Sequence, residues 1–274
     1  MAYTTIDDPT IFFNTLIWTG NGASSRAISG LGFQPDWSWF KERSGAEDHI
    51  LFDSVRGATK RIYSNSNAAE TDSGADRRLL SFDSDGFTVG LDLGINGNTE
   101  TYVGWNWKAG TSFTNDASST GIGSIDSAGS VNDTAGFSIC THTGTGSTAT
   151  IKHGLTSAPK MIITKKRSAT GGWQVGHESI GWGNGVYLND TDASTGDAGA
   201  WNSTAPTLSI FTVGNSSFTN QSSATYVSYI FAEKQGYSKC GRYKGGASNF
   251  PFIYLGFKPS FLLIKGAISG DGDA

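Results

Sequence analysis

Charge is scarce in this sequence. Asp, Glu, Lys and Arg make up 16% of it, against about 25% in an average soluble domain, and the formal net charge is only −4. Acids and bases are interspersed, so there is no basic stripe to neutralise phosphates and no polybasic segment for an anionic membrane; neither nucleic acid nor membrane insertion is expected. No run of about 18 apolar residues occurs, and Met1 to Thr10 has no basic region ahead of its apolar residues. These two absences predict a soluble chain made without a secretory signal. Cysteine is limited to Cys140 and Cys240, too few for a disulfide framework. They occupy equivalent places in successive repeats, so each is expected as a reduced thiol alone in its own core. The four histidines, His49, His142, His153 and His177, lack metal-ligand spacing and accompany no Ser or Cys nucleophile signature. They read as surface or strand-end residues. Strong helix formers are thin, and no segment sustains a helical period.

What fills the chain is Gly, Ser, Thr and Asn with β-branched and aromatic residues, the chemistry of turns and pleated strands. It is also repetitive. Leu31-Gly-Phe-Gln-Pro35 through Lys41 recurs as Leu155-Thr-Ser-Ala-Pro159 through Lys165, and again as Leu255-Gly-Phe-Lys-Pro259 through Lys265. From Pro35 to Pro159 the offset is 124 residues, and it persists downstream: Phe87-Thr-Val-Gly90 lies over Phe211-Thr-Val-Gly214, and Tyr102-Val103 over Tyr226-Val227. From Pro159 to Pro259 the offset is 100 residues, which places Phe137 to Cys140 over Tyr237 to Cys240. The excess falls in the polar run from Thr111 to Ala135, which holds almost no large apolar residue and reads as a linker or insertion.

In each copy the proline biases its predecessor to extended backbone and suits the start of a strand. The segments after it, Trp37 to Lys41, Met161 to Thr164 and Phe261 to Ile264, are apolar enough for central strands. Further strands are predicted at Phe12 to Trp18, His49 to Phe52, Arg61 to Tyr63, Leu79 to Phe82, Gly86 to Val89 and Thr101 to Trp107, between Gly, Asn and Asp clusters. The expected fold class is all-β, built of tandem antiparallel β-sandwich repeats of jelly-roll type. The expected organisation is a first unit at 1–110, the Ser/Gly/Asp-rich linker or insertion at 111–135, a second unit at 136–235 and an incomplete third at 236–274.

The wording of the first unit resembles a known family. Asp8-Pro9-Thr-Ile-Phe-Phe13 through Gly22, Leu51-Phe-Asp-Ser-Val-Arg-Gly57 through Lys60, Ser81-Phe-Asp-Ser-Asp-Gly-Phe-Thr-Val-Gly90 and Tyr102-Val-Gly-Trp-Asn-Trp-Lys-Ala-Gly110 are similar to the repeat of virion structural and tail-fibre proteins of marine bacteriophages. The likeness is close from Ile6 to Gly110 and looser in the second unit, where Ser54-Val-Arg-Gly57 becomes Glu178-Ser-Ile-Gly181 and the Trp105 strand becomes Tyr229-Ile-Phe-Ala232. The resemblance implies a concanavalin A-like lectin sandwich in a virion appendage that associates as a homotrimer, contacts other virion proteins and meets a host cell-surface glycan. It carries no catalytic motif.

Among the tryptophans, Trp37, Trp39, Trp105 and Trp107 lie in predicted strands and are expected in the core. Trp173, Trp182 and Trp201 stand among Gly, Asn and Ser, and are the candidates for stacking on a sugar. Asp190, Asp192 and Asp197 offer hard oxygens to calcium, although the glycine and closing Glu of an EF-hand loop are missing. A glycan depolymerase would need a carboxyl pair about 5 to 10 Å apart. Asp83 and Asp85 do not recur as acids, since Thr207 and Ser209 hold the equivalent positions. The expected function is therefore non-enzymatic, with a carbohydrate-binding adhesin as the alternative.

Overall fold

The computed structural model describes residues 4–72, 78–246 and 251–267, and its regular structure is β-sheet with a few single helical turns. The first unit contains β1 (Phe13–Thr19), β2 (Arg26–Ser29), β3 (Trp37–Glu42), β4 (Ile50–Asp53), β5 (Lys60–Tyr63), β6 (Thr71–Asp72), β7 (Leu79–Asp83), β8 (Gly86–Val89) and β9 (Thr101–Trp107). The second contains β10 (Thr111–Asn115), β11 (Ser127–Asn132), β12 (Phe137–Thr143), β13 (Ala149–Lys152), β14 (Met161–Lys166), β15 (Trp173–His177), β16 (Asn184–Tyr187), β17 (Thr195–Gly196), β18 (Ile210–Val213) and β19 (Thr225–Phe231). β3 and β14 each start two residues after their proline, and β8 and β9 have the predicted bounds.

The sheets repeat as the sequence does. One sheet has the order β1-β9-β3-β4-β5-β6; the other runs β12-β19-β14-β15-β16-β17 in the same sense and adds β10 and β11 outside β12. A small sheet, β2-β8-β7, accompanies the first, and β13-β18 accompanies the second. The strand pairings among the described residues are antiparallel, and β1 with β9 has the register of β12 with β19: Thr19 faces Thr101 as Thr143 faces Thr225.

The same polar devices hold both copies. Tyr102 donates its hydroxyl to Leu93 O at 2.5 Å and accepts from Gly97 N at 2.8 Å; Tyr226 does likewise with Ser217 O at 2.9 Å and Gln221 N at 2.7 Å. The buried Asn96 amide ties Ala23 O to Gly90 O, and the buried Asn220 ties Ser147 O to Gly214 O. The lysine that closes each repeated motif caps the carbonyls of the hairpin after it: Lys41 donates to Glu42 O and Gly45 O, Lys165 to Lys166 O and Gly171 O. Backbone acceptors that would otherwise be orphaned in these turns are thereby satisfied.

Each unit has its own interior between large and small sheet. In the first it holds Trp18, Phe40, Phe52, Phe87 and Tyr102; in the second, Cys140, Ile162, Trp182, Trp201 and Phe211. The third core lies between the units. Trp37, Trp39, Leu51, Ile62 and Trp107 of the first sheet face Phe137, Ile139, Ile163, Trp173, Val227 and Tyr229 of the second. Alternation along the strands explains this: Trp37, Trp39, Trp105 and Trp107 point away from the small sheet, while Ser38, Phe40 and Asn106 point toward it. The two large sheets therefore pack face to face, and each closes its outer side with a small sheet.

The polar run 111–135, expected as a linker or insertion, is an insertion with structure of its own: it forms β10, a helical turn at Ala117–Thr120 and β11, with Thr111 to Asn115 opposite Val131 to Ser127. An edge pair closed by small residues needs ladder hydrogen bonds more than apolar bulk. Two expectations need correction. Among the described residues of the incomplete third copy, Phe261 to Ile264 is not the expected strand, although Phe261 lies 5.2 to 6.2 Å from the rings of Trp107, Trp105, Phe13 and Trp39. Cys140 is buried as expected, and burial pushes its thiol up to about 12, but Cys240 is only part-buried and belongs to no core cluster.

Trp37 is central to the shared layer, stacked 4.3 Å from the Tyr229 ring and 5.7 Å from the Phe137 ring. Replacing it, Trp37→Ala, is expected to cost about 3 to 5 kcal/mol. Urea denaturation followed by tryptophan fluorescence checks this, and both units are expected to melt together at the lower midpoint.

Candidate functional site

The structure seals the predicted sugar platforms. Trp173 and Trp201 are fully buried and Trp182 is 7% exposed. Trp173 lies in the layer between the units and donates its indole N–H to Tyr63 O at 2.8 Å. Trp182 and Trp201 meet edge to face at 5.8 Å inside the second unit, and Gly176 is glycine because a Cβ there would lie 2.6 Å from Trp182 and 2.7 Å from Trp201. None offers a ring face to a ligand. Gly and Asn neighbours marked close packing here, not an open loop.

The three aspartates are not brought together. Asp197 caps the turn Ala198–Trp201 through Ala200 N, and Asp190 accepts from Thr191 N. Asp192 is not grouped with them, for no cluster of three His, Cys, Asp or Glu side chains suited to a metal occurs among the described residues. Asp83 and Asp85 are turn-holders: Asp83 accepts from Ser81 and Thr88, Asp85 from Gly30 N and Gly32 N.

Sequence reasoning missed the strongest electrostatic feature, a buried network across the two units. Arg56, enclosed completely, pairs with Asp53 through Nε, with Glu70 at 3.0 Å and with the Tyr229 hydroxyl at 3.3 Å; Tyr229 donates to Asp53 at 2.7 Å. Glu70 is held in turn by Arg167 through two bonds of 2.9 Å. Burial alone would lower the Arg56 pKa, but Asp53, Tyr229 and Glu70 outweigh it and raise it above its ordinary value; burial drives the Tyr229 phenol well up. Its signal in the sequence was the divergence between copies: Arg56 corresponds to Ile180, and Tyr229 to Trp105. Each copy changed where it meets the other.

A second feature lies on the added strands. A cleft of about 440 Å³ is lined by Thr114, Asp126, Ala128, Thr141, Thr143 and Arg167, among others. Thr114, Ala128 and Thr141 stand side by side across β10, β11 and β12, and Thr143 faces Thr225 on β19. The lining is hydroxyls, a guanidinium and carboxylates, hydrogen-bonding groups suited to a neutral polyhydroxylated ligand. The Arg167 that borders it also holds Glu70, so the cleft wall is anchored in the interface between the units. The signal for it was the unequal length of the repeats.

The family model for a domain of unknown function, DUF7483, matches residues 8–271. The chain belongs to this family. The DUF7483 match runs through both units and the tail without a break, as their shared core does. No curated protein and no solved structure matches.

Two of the histidines expected as surface or strand-end residues stand at strand ends, His142 one residue before the end of β12 and His153 directly after β13, and both are buried there. Burial holds both down at about 4. His142 stands where the first unit has Trp18: Trp18 stacks on Tyr102 and donates to Ile95 O, while His142 stacks on Tyr226 at 5.0 Å with Nε2 3.0 Å from Thr219 O. His153 Nδ1 accepts from Leu155 N at 3.1 Å.

Two outcomes follow. In the unfolded chain both histidines take up protons near pH 6.5, while the folded chain keeps them neutral down to about pH 4, so stability is full above pH 6.5 and falls as pH drops toward 4. The loss is about 2 kcal/mol per histidine between pH 6.5 and 5, and urea midpoints across this range should flatten in His142→Phe. Removing Arg56 as Arg56→Met strands the Asp53 carboxylate and should cost about 3 to 5 kcal/mol. Adding Asp53→Leu and Tyr229→Phe should recover most of that loss in the same denaturation assay.

Proposed function

We propose that this DUF7483 protein is a non-enzymatic structural and binding module of a bacteriophage virion, a tail-fibre or other appendage piece that associates with itself as a homotrimer and contacts a host-surface glycan. The polar cleft on β10, β11 and β12 carries the reading. Everything duplicated between the units, the tyrosine and asparagine ties and the lysine-capped hairpins, serves the scaffold. What only the second unit has is the added pair of strands, and the cleft is built on them. Hydroxyls and a guanidinium bind sugar hydroxyls by hydrogen bonds, and the two carboxylates of the cleft, Asp116 and Asp126, are engaged with backbone N–H groups of the Ala117–Thr120 turn, which supports binding over cleavage. The resemblance of Ile6 to Gly110 to marine phage virion proteins, with its concanavalin A-like lectin sandwich, supplies the setting, and location in the assembled virion follows from it. Because fold does not determine function, the glycan rests on the cleft's chemistry.

Binding of the full chain to host cells and to a glycan array tests the proposal. The expected result is retention by a host polysaccharide, weakened at least about tenfold, 1.4 kcal/mol, by Ala128→Trp, which fills the cleft, and unchanged by Trp182→Phe. Absence of any glycan retention, or indifference to Ala128→Trp, overturns it, and release of oligosaccharides from the polysaccharide replaces it with a depolymerase.

A further inference from the structure

The longest outer strand of the two large sheets is β1, seven residues against five in β10, and among the described residues no strand pairs its far side. It reads Phe13-Asn-Thr-Leu-Ile-Trp-Thr19, without a charged residue, proline or bulge of its own by which proteins blunt an edge; of its backbone groups, Thr15 N meets the Asn14 side chain at 2.9 Å and Thr19 O meets Arg26. Ile17, near its middle, is 67% exposed. The far edges of the two large sheets end instead in the two-residue strands β6 and β17. In the second unit the strand equivalent to β1 is covered: β12 pairs with β11 from Phe137 opposite Asn132 to His142 opposite Ser127. Among the described residues the first unit has no counterpart of β11.

The tail presents the complementary feature. Phe252, Tyr254, Leu262 and Ile264 are 88%, 71%, 63% and 64% exposed. Leu262 and Ile264 occupy the third copy of a strand whose earlier copies bury the same positions completely, as Ser38 and Phe40 in β3 and as Ile162 and Thr164 in β14. A contiguous run of this kind, left in water, is the mark of an unmet contact. The tail already reaches the open edge, because Phe261 rests 6.0 Å from the ring of Phe13, the first residue of β1.

We infer that the tail segment from Phe261 to Lys265 of one copy adds as a strand to the β1 edge of a second copy of this chain. The partner is argued from the molecule itself: sheets of this fold accept this strand sequence twice within one chain, and β1 is a sheet edge of that same fold left unpaired. Backbone hydrogen bonds supply the pairing, and Leu262 and Ile264 leave water. Each copy has one such edge and one such tail, so the contact is heterologous and closes when every edge holds a tail. The inference rests on the self-association in the proposed function and is independent of the glycan.

Sedimentation of the full chain, alone and as Ile17→Lys and Leu262→Glu/Ile264→Glu, tests it. All the substituted residues are exposed, so unchanged circular dichroism and melting are expected. The wild type should associate below about 100 µM, and each variant alone should need at least about tenfold more protein. Mixing the edge variant, which keeps its tail, with the tail variant, which keeps its edge, should restore a 1:1 complex. A wild type that stays monomeric, variants that associate like wild type, or a mixture that fails to recover overturns the inference. None of these outcomes alters glycan retention by the Ala128→Trp series, so the two readings fail separately.

Discussion

The contact on which the rest of this structure depends is the layer between the two large sheets, where Trp37 stacks on Tyr229 and the phenol of Tyr229 reaches the Asp53 and Arg56 pair. A sheet has two faces to close. Each unit closes one with its own small sheet, and the other is too apolar for water, with Trp37, Trp39 and Trp107 on one side and Phe137, Ile139 and Ile163 on the other. Burying the ring of Trp37 and its partners contributes by area, whereas the ion network contributes by orientation: a guanidinium with no route to solvent is tolerable only where Asp53 and Glu70 meet it. The observed placement of the units satisfies both requirements.

Duplication and divergence then have distinct roles. Positions that hold a unit together are kept in both copies, as in Tyr102 and Tyr226 or Asn96 and Asn220. Positions that face the other unit have separated, Arg56 from Ile180 and Trp105 from Tyr229. The packing sets position 56 of the first copy against position 229 of the second, so identical sheets would put an arginine against an indole, and the network requires the Tyr229 hydroxyl that Trp105 lacks. The backbone contacts follow the same division: the loop after β5 reaches across, with Asn67 O accepting from Gly171 N at 2.9 Å and Arg167 O accepting from Glu70 N at 2.9 Å.

Much of this was legible in advance. The 124-residue offset, the prolines ahead of β3 and β14, and the alternating Trp105-Asn-Trp107 led to the strands and to the sandwich. The site was far less legible. Trp173, Trp182 and Trp201 looked exposed because glycine and asparagine surround them, yet Gly176 is there to admit two indoles. The apolar run after Pro35 places Trp37 and Trp39 in a central strand and in the core; it does not tell that the core they enter is shared with a neighbour, since an apolar pattern records burial and not the identity of what covers it. The run from Thr111 to Ala135 reads as a linker or insertion for want of large side chains, and its backbone supplies the edge strands on which the cleft stands.

Native-state hydrogen exchange on β9 and β19 tests the shared layer most directly. Both strands are interior to their sheets, β9 between β1 and β3 and β19 between β12 and β14, and their amides should open with one common free energy, equal to that of global unfolding. Separate opening energies for the two strands, one unit exchanging while the other stays protected, would contradict a common core.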